Sequence, residues 1–554
     1  MDFGANFNSE YCRAMRTLAF WRDVTVLDFL GRALRRRADH AAVVDYNSMT
    51  GERTSISFRE LDARSMRIAS GLRRLGVTRG DVVSFQLPNW WQVVALHLAC
   101  VRIGAVSNII MPVFRERELE FMLGLAESKV FIVPRRFRGH DYTATAASLK
   151  QRLPSLRHVL VISGDPGQGF DEALLNSEAD NVPREDASGP DDIVQLCYTS
   201  GTTGEPKGAL VTSNTLISNV IPFVERLHLT EDDVLLMASP LAHQTGFMYG
   251  VIASLYLGAT LVLQDIWDPA AAAEIIRRES VTYSMGAAAF LCDLTSVAAR
   301  DPDAFRSFKT FVAAGAPIPR ALVRLATDSM GAKILSAWGM TEMGAATLTR
   351  PEDPPEKVFE ADGVCLHGAE IRVLGIAGNP LSPGEEGRLE IRACSLFAGY
   401  LRRPGLGMPG PDGWFDTGDM ARIDRDGYVR ITGRSKDIII RGGENIPVVE
   451  LENLLFEHPD IGDVAVVGMP DERLGERACA FVVLKADGHR SRTDLTLADL
   501  NSFLVDRRLA KTYWPERLVV MPSLPRTPTG KVQKFKPREL SQQSGSAVAS
   551  ERSL

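Results

Sequence analysis

Asp192-Ile-Val-Gln-Leu-Cys-Tyr-Thr-Ser-Gly-Thr-Thr-Gly-Glu-Pro-Lys-Gly208 is the stretch on which the reading of this 554-residue chain turns. Its first half is an apolar run bounded by acidic residues and Pro190, which reads as a buried strand. Its second half carries Gly201, Gly204 and Gly208, hydroxyls on Tyr198, Thr199, Ser200, Thr202 and Thr203, and the cation Lys207. Glycines let a backbone approach phosphate oxygens and turn successive N–H groups inward, hydroxyls add donors, and the lysine supplies charge, so a loop of this composition can wrap a polyphosphate. A Gly/Thr surface turn with a solvated lysine is the plain alternative, and the density of donors weighs against it. The spacing is not that of a Walker loop, which would need a glycine at Pro206 and a hydroxyl at Gly208, so P-loop NTPase chemistry is disfavoured.

Three further segments repeat one arrangement, an apolar strand running into a polar, glycine-containing turn. They are Val234-Leu-Leu-Met-Ala-Ser-Pro-Leu-Ala-His243, Thr310-Phe-Val-Ala-Ala-Gly-Ala-Pro317 and Lys333-Ile-Leu-Ser-Ala-Trp-Gly-Met-Thr-Glu342. In an open parallel sheet ligands bind beyond the carboxyl ends of strands, so neighbouring strands would bring these turns to one crevice. Upstream, Ser57-Phe-Arg-Glu60 has the form of a capping box, followed by Leu61, Ile68, Leu72 and Leu75 at helical spacing and Gly76 as the stop. Asp81–Leu87 reads as strand, Trp90–Ile103 as helix and Ala105–Ile110 as strand, a βαβ unit of a kind that recurs to about residue 345. The expected fold class is therefore α/β: a large N-terminal domain of mainly parallel sheets covered by helices.

With all four segments in view, the chain resembles the adenylate-forming enzymes: acyl-CoA synthetases, peptide-synthetase adenylation domains and luciferases. The resemblance covers roughly residues 25–540 and implies an N-terminal adenylation domain over 1–434 with a β-rich subdomain at about 364–434. It further implies a hinge at 435–436, a mobile C-terminal α+β lid over 437–540 and, at 541–554, a tail expected to be disordered. By resemblance the loop Thr199, Ser200, Gly201, Thr202, Thr203, Gly204 holds phosphates with Lys207. Gly315, Ala316 and Pro317 resemble the turn against adenine, and Ala337, Trp338, Gly339, Met340, Thr341 and Glu342 the element in which Thr341 meets the α-phosphate and Glu342 helps hold Mg²⁺. The chain has Trp338 where tyrosine is usual, which still offers a stacking face. Trp414-Phe-Asp-Thr-Gly-Asp419 ends in the aspartate that takes both ribose hydroxyls, with Arg434 as second contact and Lys436 as pivot. Gly442, Gly443 and Glu444 open the lid, where Gly443 lines a pantetheine tunnel. Pro525-Arg-Thr-Pro-Thr-Gly-Lys531 carries the lysine that spans carboxylate and α-phosphate.

The bulk properties agree with a soluble globular chain: 45% apolar and 24% charged residues, net charge −6, so nothing points to nucleic acid or an anionic membrane. Seven scattered cysteines with no C-x-x-C pair favour reduced thiols over a disulfide framework or zinc site. No signal peptide and no span long enough for a bilayer are read, so a cytoplasmic location and no integral membrane contact are expected. Arg35-Arg36-Arg37 reads as a solvated helix face. Oligomeric state is unreadable, a dimer remaining possible.

The resemblance implies ATP, Mg²⁺ and coenzyme A as partners of a carboxylic acid. Catalytic roles fall to Lys531, Thr341, Glu342 and Lys207. The acyl pocket is expected at His243, Gln244, Thr245, Gly246, Gly286, Ala287 and Ala314, whose small residues either leave room for a wide acid or pack a helix. No aspartate lies in 240–246 to pair an amino-acid ammonium group. The Ala-His-Gln-Thr-Gly segment resembles ligases for alicyclic acids, and a terpenoid or medium-chain acid also fits. Arg473 is the candidate for CoA phosphates. An acyl-AMP ligase loading a carrier protein and a luciferase-like oxygenase remain as alternatives.

Overall fold

The computed structural model describes residues 3, 9–162, 169–176, 182–199, 206–375, 377–410, 412–435, 437–441, 444–471, 473–485, 495–527 and 529–541, the side chains of residues 444 and 445 excepted. The Ser57 capping box forms as read. Glu60 returns a carboxylate oxygen to the Ser57 N–H at 2.8 Å, and the helix Phe58–Arg74 buries Phe58, Leu61, Ile68 and Leu72. The strand Val82–Phe85, helix Trp91–Arg102 and strand Val106–Ile109 make the expected unit, its strands parallel with Val82 opposite Val106. That helix is apolar on every side because it is enclosed. Even His97 is buried, hydrogen-bonded to the Ser107 hydroxyl at 2.9 Å and edge-on to Phe247.

Two large sheets result. Among the described residues one has six strands, in the order Lys207–Thr212, Ile193–Thr199, Val106–Ile109, Val82–Phe85, Val130–Pro134 and His158–Ile162. The other has nine, in the order Val364–Cys365, Gly344–Leu348, Lys333–Met340, Thr310–Ala313, Tyr283–Gly286, Val234–Met237, Thr260–Gln264, Ala41–Asn47 and Glu52–Ser57. Of the three strands that run into polar turns, Thr310–Ala313 and Lys333–Met340 are neighbours and Val234–Met237 is separated from them by Tyr283–Gly286, and all four run parallel. One continuous apolar cluster joins the two sheets, from Phe29 through Val93 and Phe223 to Leu335.

The β-rich segment is a four-stranded antiparallel meander, Ala369–Leu374, Gly387–Ala393, Phe415–Ile423 and Val429–Arg434. The small C-terminal domain pairs Ile461–Asp471 with Gly475–Leu484 and covers them with helices Val448–Phe456 and Leu497–Asp506. Its turn at 471–475 is thus the tip of a long hairpin. Ser541, the first residue of the segment expected to be disordered, is buried at the end of a helix. Two helices, Ser9–Thr17 and Val26–Arg37, precede the first strand. The basic end of the second is tied within the chain: Arg36 pairs with Glu231, and Arg37 with Asp232 and the Glu231 carbonyl.

Candidate active site

The phosphate-loop candidates Ser200, Gly201, Thr202, Thr203 and Gly204 lie outside the described residues, but their frame does not. Thr199 and Lys207 face each other in an antiparallel pair that closes the connection as a hairpin. The Lys207 ammonium stands 5.2 Å from the Tyr400 ring centroid, because the backbone around Gly399 and Tyr400 bonds the same strand from its other side. The Tyr400 hydroxyl donates to Glu342 Oε1. Sequence reasoning missed Tyr400, since an isolated Gly-Tyr pair carries no signal until the chain brings it beside a lysine and a buried glutamate.

Glu342 and Thr341 occupy the turn between Lys333–Met340 and Gly344–Leu348. Gly339 is required there: a Cβ on it would lie 2.0 Å from the Gly344 carbonyl oxygen. Behind the turn Asn219 donates to the Ala345 carbonyl and accepts from the Tyr249 hydroxyl, so the hairpin is backed by a satisfied polar group in the core. Among the described residues no group of three or more His, Cys, Asp or Glu is placed to hold a metal ion. A single carboxylate such as Glu342 fits a magnesium ion that arrives with phosphates and retains waters, and does not fit an ion caged by protein alone.

Asp419 is 4% exposed and receives two donors, Trp338 Nε1 on Oδ2 at 2.9 Å and Arg434 Nε on Oδ1 at 3.0 Å. Burial raises its pKa, making it a weaker acid than an exposed carboxylate, opposed first by the Arg434 charge and then by the Trp338 bond. The Trp338 ring packs with Met343, Ile391, Phe397 and Phe415 rather than standing free as a stacking face. Ala337 is buried in the same strand, opposite Leu348, and Met340 is half-buried.

The carboxyl ends of the parallel strands carry the acyl-pocket candidates. Gly246 packs on the preceding turn so closely that a Cβ would meet the Pro240 oxygen at 2.3 Å. His243 caps that turn, its Nδ1 accepting the Thr245 N–H at 3.2 Å, which leaves the ring proton on Nε2. Enclosure, with the Lys531 charge second, pushes its pKa down to about 3, so it is neutral at physiological pH. Gln244 bonds Gln195 on the phosphate-loop strand at 3.2 Å, linking the two sheets. Gly286 leaves no open space, since Phe290 lies 3.3 Å from where its Cβ would be and is itself held edge-on to Trp267.

Lys531 completes the wall. It lines a pocket with Ser239, His243, Thr245, Ala287, Ala314, Gly315 and Thr529, in which a cavity of about 10 Å³ remains. The small domain is therefore closed on the large one. The tip that delivers the lysine is a tight turn: Thr527 N–H donates to the Lys531 carbonyl at 2.7 Å, Lys531 N–H to Thr527 Oγ1 at 3.1 Å, and Arg526 braces it against Asp463. Gly530, at φ +83, presents its Cα side to Ala287, Ala289 and Phe290. The alanines thus seat the lysine turn, a use that neither reading of them from sequence included. Burial and Arg434 lower the Lys531 pKa, while Asp419 and Glu342 hold it up, so the ammonium stands among the groups expected to bind the nucleotide.

Ala316 is half-buried and Pro317 exposed on the turn after Gly315. Arg473 is exposed at the hairpin tip, whereas its neighbour Arg477 is engaged by Asp471. Lys436, Gly442, Gly443 and the Glu444 side chain lie outside the described residues. No helix among the described residues is long and apolar enough to cross a membrane.

Comparison with known proteins adds to this geometry. The family model for AMP-binding enzymes matches residues 30–401, and that for the AMP-binding enzyme C-terminal domain matches residues 450–531. The chain is 36% identical over 539 residues to a medium-chain fatty-acid–CoA ligase of Escherichia coli, covering 97% of this chain and 94% of that one. It is 33% identical to a salicyl-AMP ligase / salicyl-S-ArCP synthetase of Mycobacterium tuberculosis, covering 95% and 93%. Its fold matches the crystal structure of ATP-bound MatB from Rhodopseudomonas palustris with a TM-score of 0.83 and 28% identity, over 93% of this chain and 99% of that one.

Proposed function

This chain belongs to the family of AMP-binding enzymes, and on that premise we propose that it is an AMP-forming acyl-CoA ligase. In the first half a carboxylate oxygen bonds to the α-phosphorus of ATP and the α–β anhydride breaks, releasing pyrophosphate and leaving an acyl-adenylate. In the second a thiol sulfur bonds to the activated carbonyl and AMP departs with the bonding pair. The observation that carries the reading is Lys531, delivered by the small domain into the pocket walled by His243, Ala314 and Gly315 and facing Asp419 and Glu342. Two anionic reactants must meet there, so positioning and positive charge are what the protein has to supply.

Roles follow from placement. Lys531 bridges carboxylate and α-phosphate. Lys207 and the loop 199–204 take the remaining phosphates, with Mg²⁺ held by them and Glu342. Thr341, at the same turn, meets the α-phosphate. Asp419 and Arg434 hold the ribose, and Gly315, Ala316, Pro317 and Met340 flank the base. His243, neutral and with its Nδ1 occupied, shapes the acyl end and does not serve as a base. Lid rotation about Lys436, with Gly443 then lining the thiol's path, belongs to the same reading, and exposed Arg473 is its contact for CoA phosphates.

The acid proposed is medium-chain. Support comes from the Escherichia coli relative. The relatives named above do not single out alicyclic acids, so cyclohexanecarboxylate stays in the test rather than in the proposal. The salicyl-AMP ligase relative favours, as second reading, an aromatic acid passed to a carrier protein. Purified protein is given ATP, Mg²⁺ and octanoate, cyclohexanecarboxylate or salicylate, with CoA or a phosphopantetheinylated carrier, and products are identified by mass spectrometry. Octanoyl-CoA with AMP is expected. Carrier loading without CoA turnover selects the second reading, and no AMP from any acid refutes both.

A further inference from the structure

Trp338 and Asp419 come from different sheets and meet at a buried hydrogen bond. Trp338 ends the strand Lys333–Met340 of the nine-stranded sheet, and Asp419 lies on Phe415–Ile423 of the four-stranded meander. Trp338 is 9% exposed and belongs to the same buried cluster as Met343, Ile391, Phe397 and Phe415, so its side chain is enclosed rather than free in solvent. Packing alone asks only for an apolar ring. A tyrosine or phenylalanine would fill that role and would place no N–H at this point.

We propose that Trp338 is a positioning residue for the nucleotide sugar: its indole N–H fixes the Asp419 carboxylate so that one open acceptor position on each oxygen faces the two ribose hydroxyls. This rests on the reading above, in which Asp419 takes the ribose. An ionised carboxylate offers about four acceptor positions. Trp338 occupies one on Oδ2 and Arg434 one on Oδ1, which leaves about two, one per oxygen, as many as a cis-diol can fill. Without the indole the carboxylate is free to turn about its broad terminal torsion, and Arg434 can draw both oxygens to itself in a fork. The environment already disfavours the Asp419 charge, so losing a donor also weakens the acceptor.

The test compares ATP, 2′-deoxy-ATP and 3′-deoxy-ATP in pyrophosphate release at saturating acid, for wild type and Trp338→Phe. A bond to a charged group is lost, so KM for ATP should rise about tenfold or more while kcat and the KM for the acid stay near wild type. The preference for ATP over both deoxy analogues should shrink by the same factor. A purely structural role would instead raise all three nucleotide KM values together and leave the preference intact, and that result overturns the proposal. On an Asp419→Asn background, Trp338→Phe should add little, and a full additive loss would count against it. If Trp338→Phe does not fold, Trp338→Leu, which likewise carries no donor, is read the same way. Wild-type protein that releases no pyrophosphate with any acid refutes the functional reading itself, whereas an active wild type with an unmoved preference in the variant refutes only the role of the indole.

Discussion

Replacing Lys531 by alanine should separate the two half-reactions. The ammonium is enclosed by Ser239, His243, Ala314 and Gly315 and faces the carboxylates of Asp419 and Glu342. Its removal deletes a charged donor from a transition state in which an anionic carboxylate attacks an anionic phosphate, and leaves those two acids without that counter-charge. Deleting one preorganised donor of this kind costs about 10²–10³ in rate, or about 2.7–4 kcal/mol. With both acids exposed to the triphosphate, about 10² is the floor. Lys531→Arg keeps the charge but should not rescue, because the remaining cavity of about 10 Å³ admits roughly one water-sized sphere and no planar guanidinium. Adenylation is followed by pyrophosphate exchange, and thioester formation by supplying the acyl-adenylate with CoA. The first should fall at least about 10²-fold and the second far less, with an unchanged melting temperature showing that the fold is kept. Equal losses in both halves would refute the reasoning, as would an active Lys531→Arg.

Tyr400→Phe keeps the ring beneath Lys207 but removes the hydroxyl that donates to Glu342; the Mg²⁺ concentration needed for half-maximal adenylation should rise about tenfold, and an unchanged requirement would mean that Glu342 needs no partner. Gly246→Ala forces a Cβ to within 2.3 Å of the Pro240 oxygen, so chemical denaturation should show a loss of about 1–3 kcal/mol, with adenylation falling because His243 and Ser239 sit on the displaced turn. Asp45 is buried, accepts the Trp91 N–H at 3.0 Å and is raised by burial to about 7. Its folded pKa exceeds the unfolded one, so its contribution to stability is intact below about pH 4, is lost as pH climbs to about 7 and levels beyond, a swing of order 4 kcal/mol that Asp45→Asn should abolish in melts taken across that range.

Sequence period and punctuation were enough for the framework, and the reasons are local. Ser57 and Glu60 make a cap by themselves, and strand–helix–strand text such as 81–110 has few ways to fold. In the small domain Met469, Pro470 and Asp471 have the composition of a loop, yet the hairpin partner Gly475–Arg477 pairs them residue by residue. Pairing across a hairpin is a tertiary fact, and composition within one strand does not contain it. The alanines at 287–289 show the same limit from the other side. Smallness is visible in the text, but whether it makes room for a ligand, a helix or a visiting glycine depends on what arrives, and here Gly530 does.

At the site, the residue types were legible and their couplings were not. Tyr400 on Glu342, Trp338 on Asp419 and Gln244 on Gln195 each join segments 49 to 81 positions apart. All three cross between separately formed sheets, so each sheet must be placed before its side chains can choose partners. The closed arrangement adds a consequence of its own. With Lys531 in the pocket, the proposed reading has a thiol reach a carbonyl beside Gly315 only once the lysine turn withdraws. That turn is internally bonded through Thr527 and braced by Arg526 on Asp463, while its tip meets the large domain at Ala287, Ala289 and Phe290 through a glycine with no side chain to interlock. On the proposed reading it leaves as one rigid piece, sliding off small side chains, so that adenylation and thiol attack exclude each other in time.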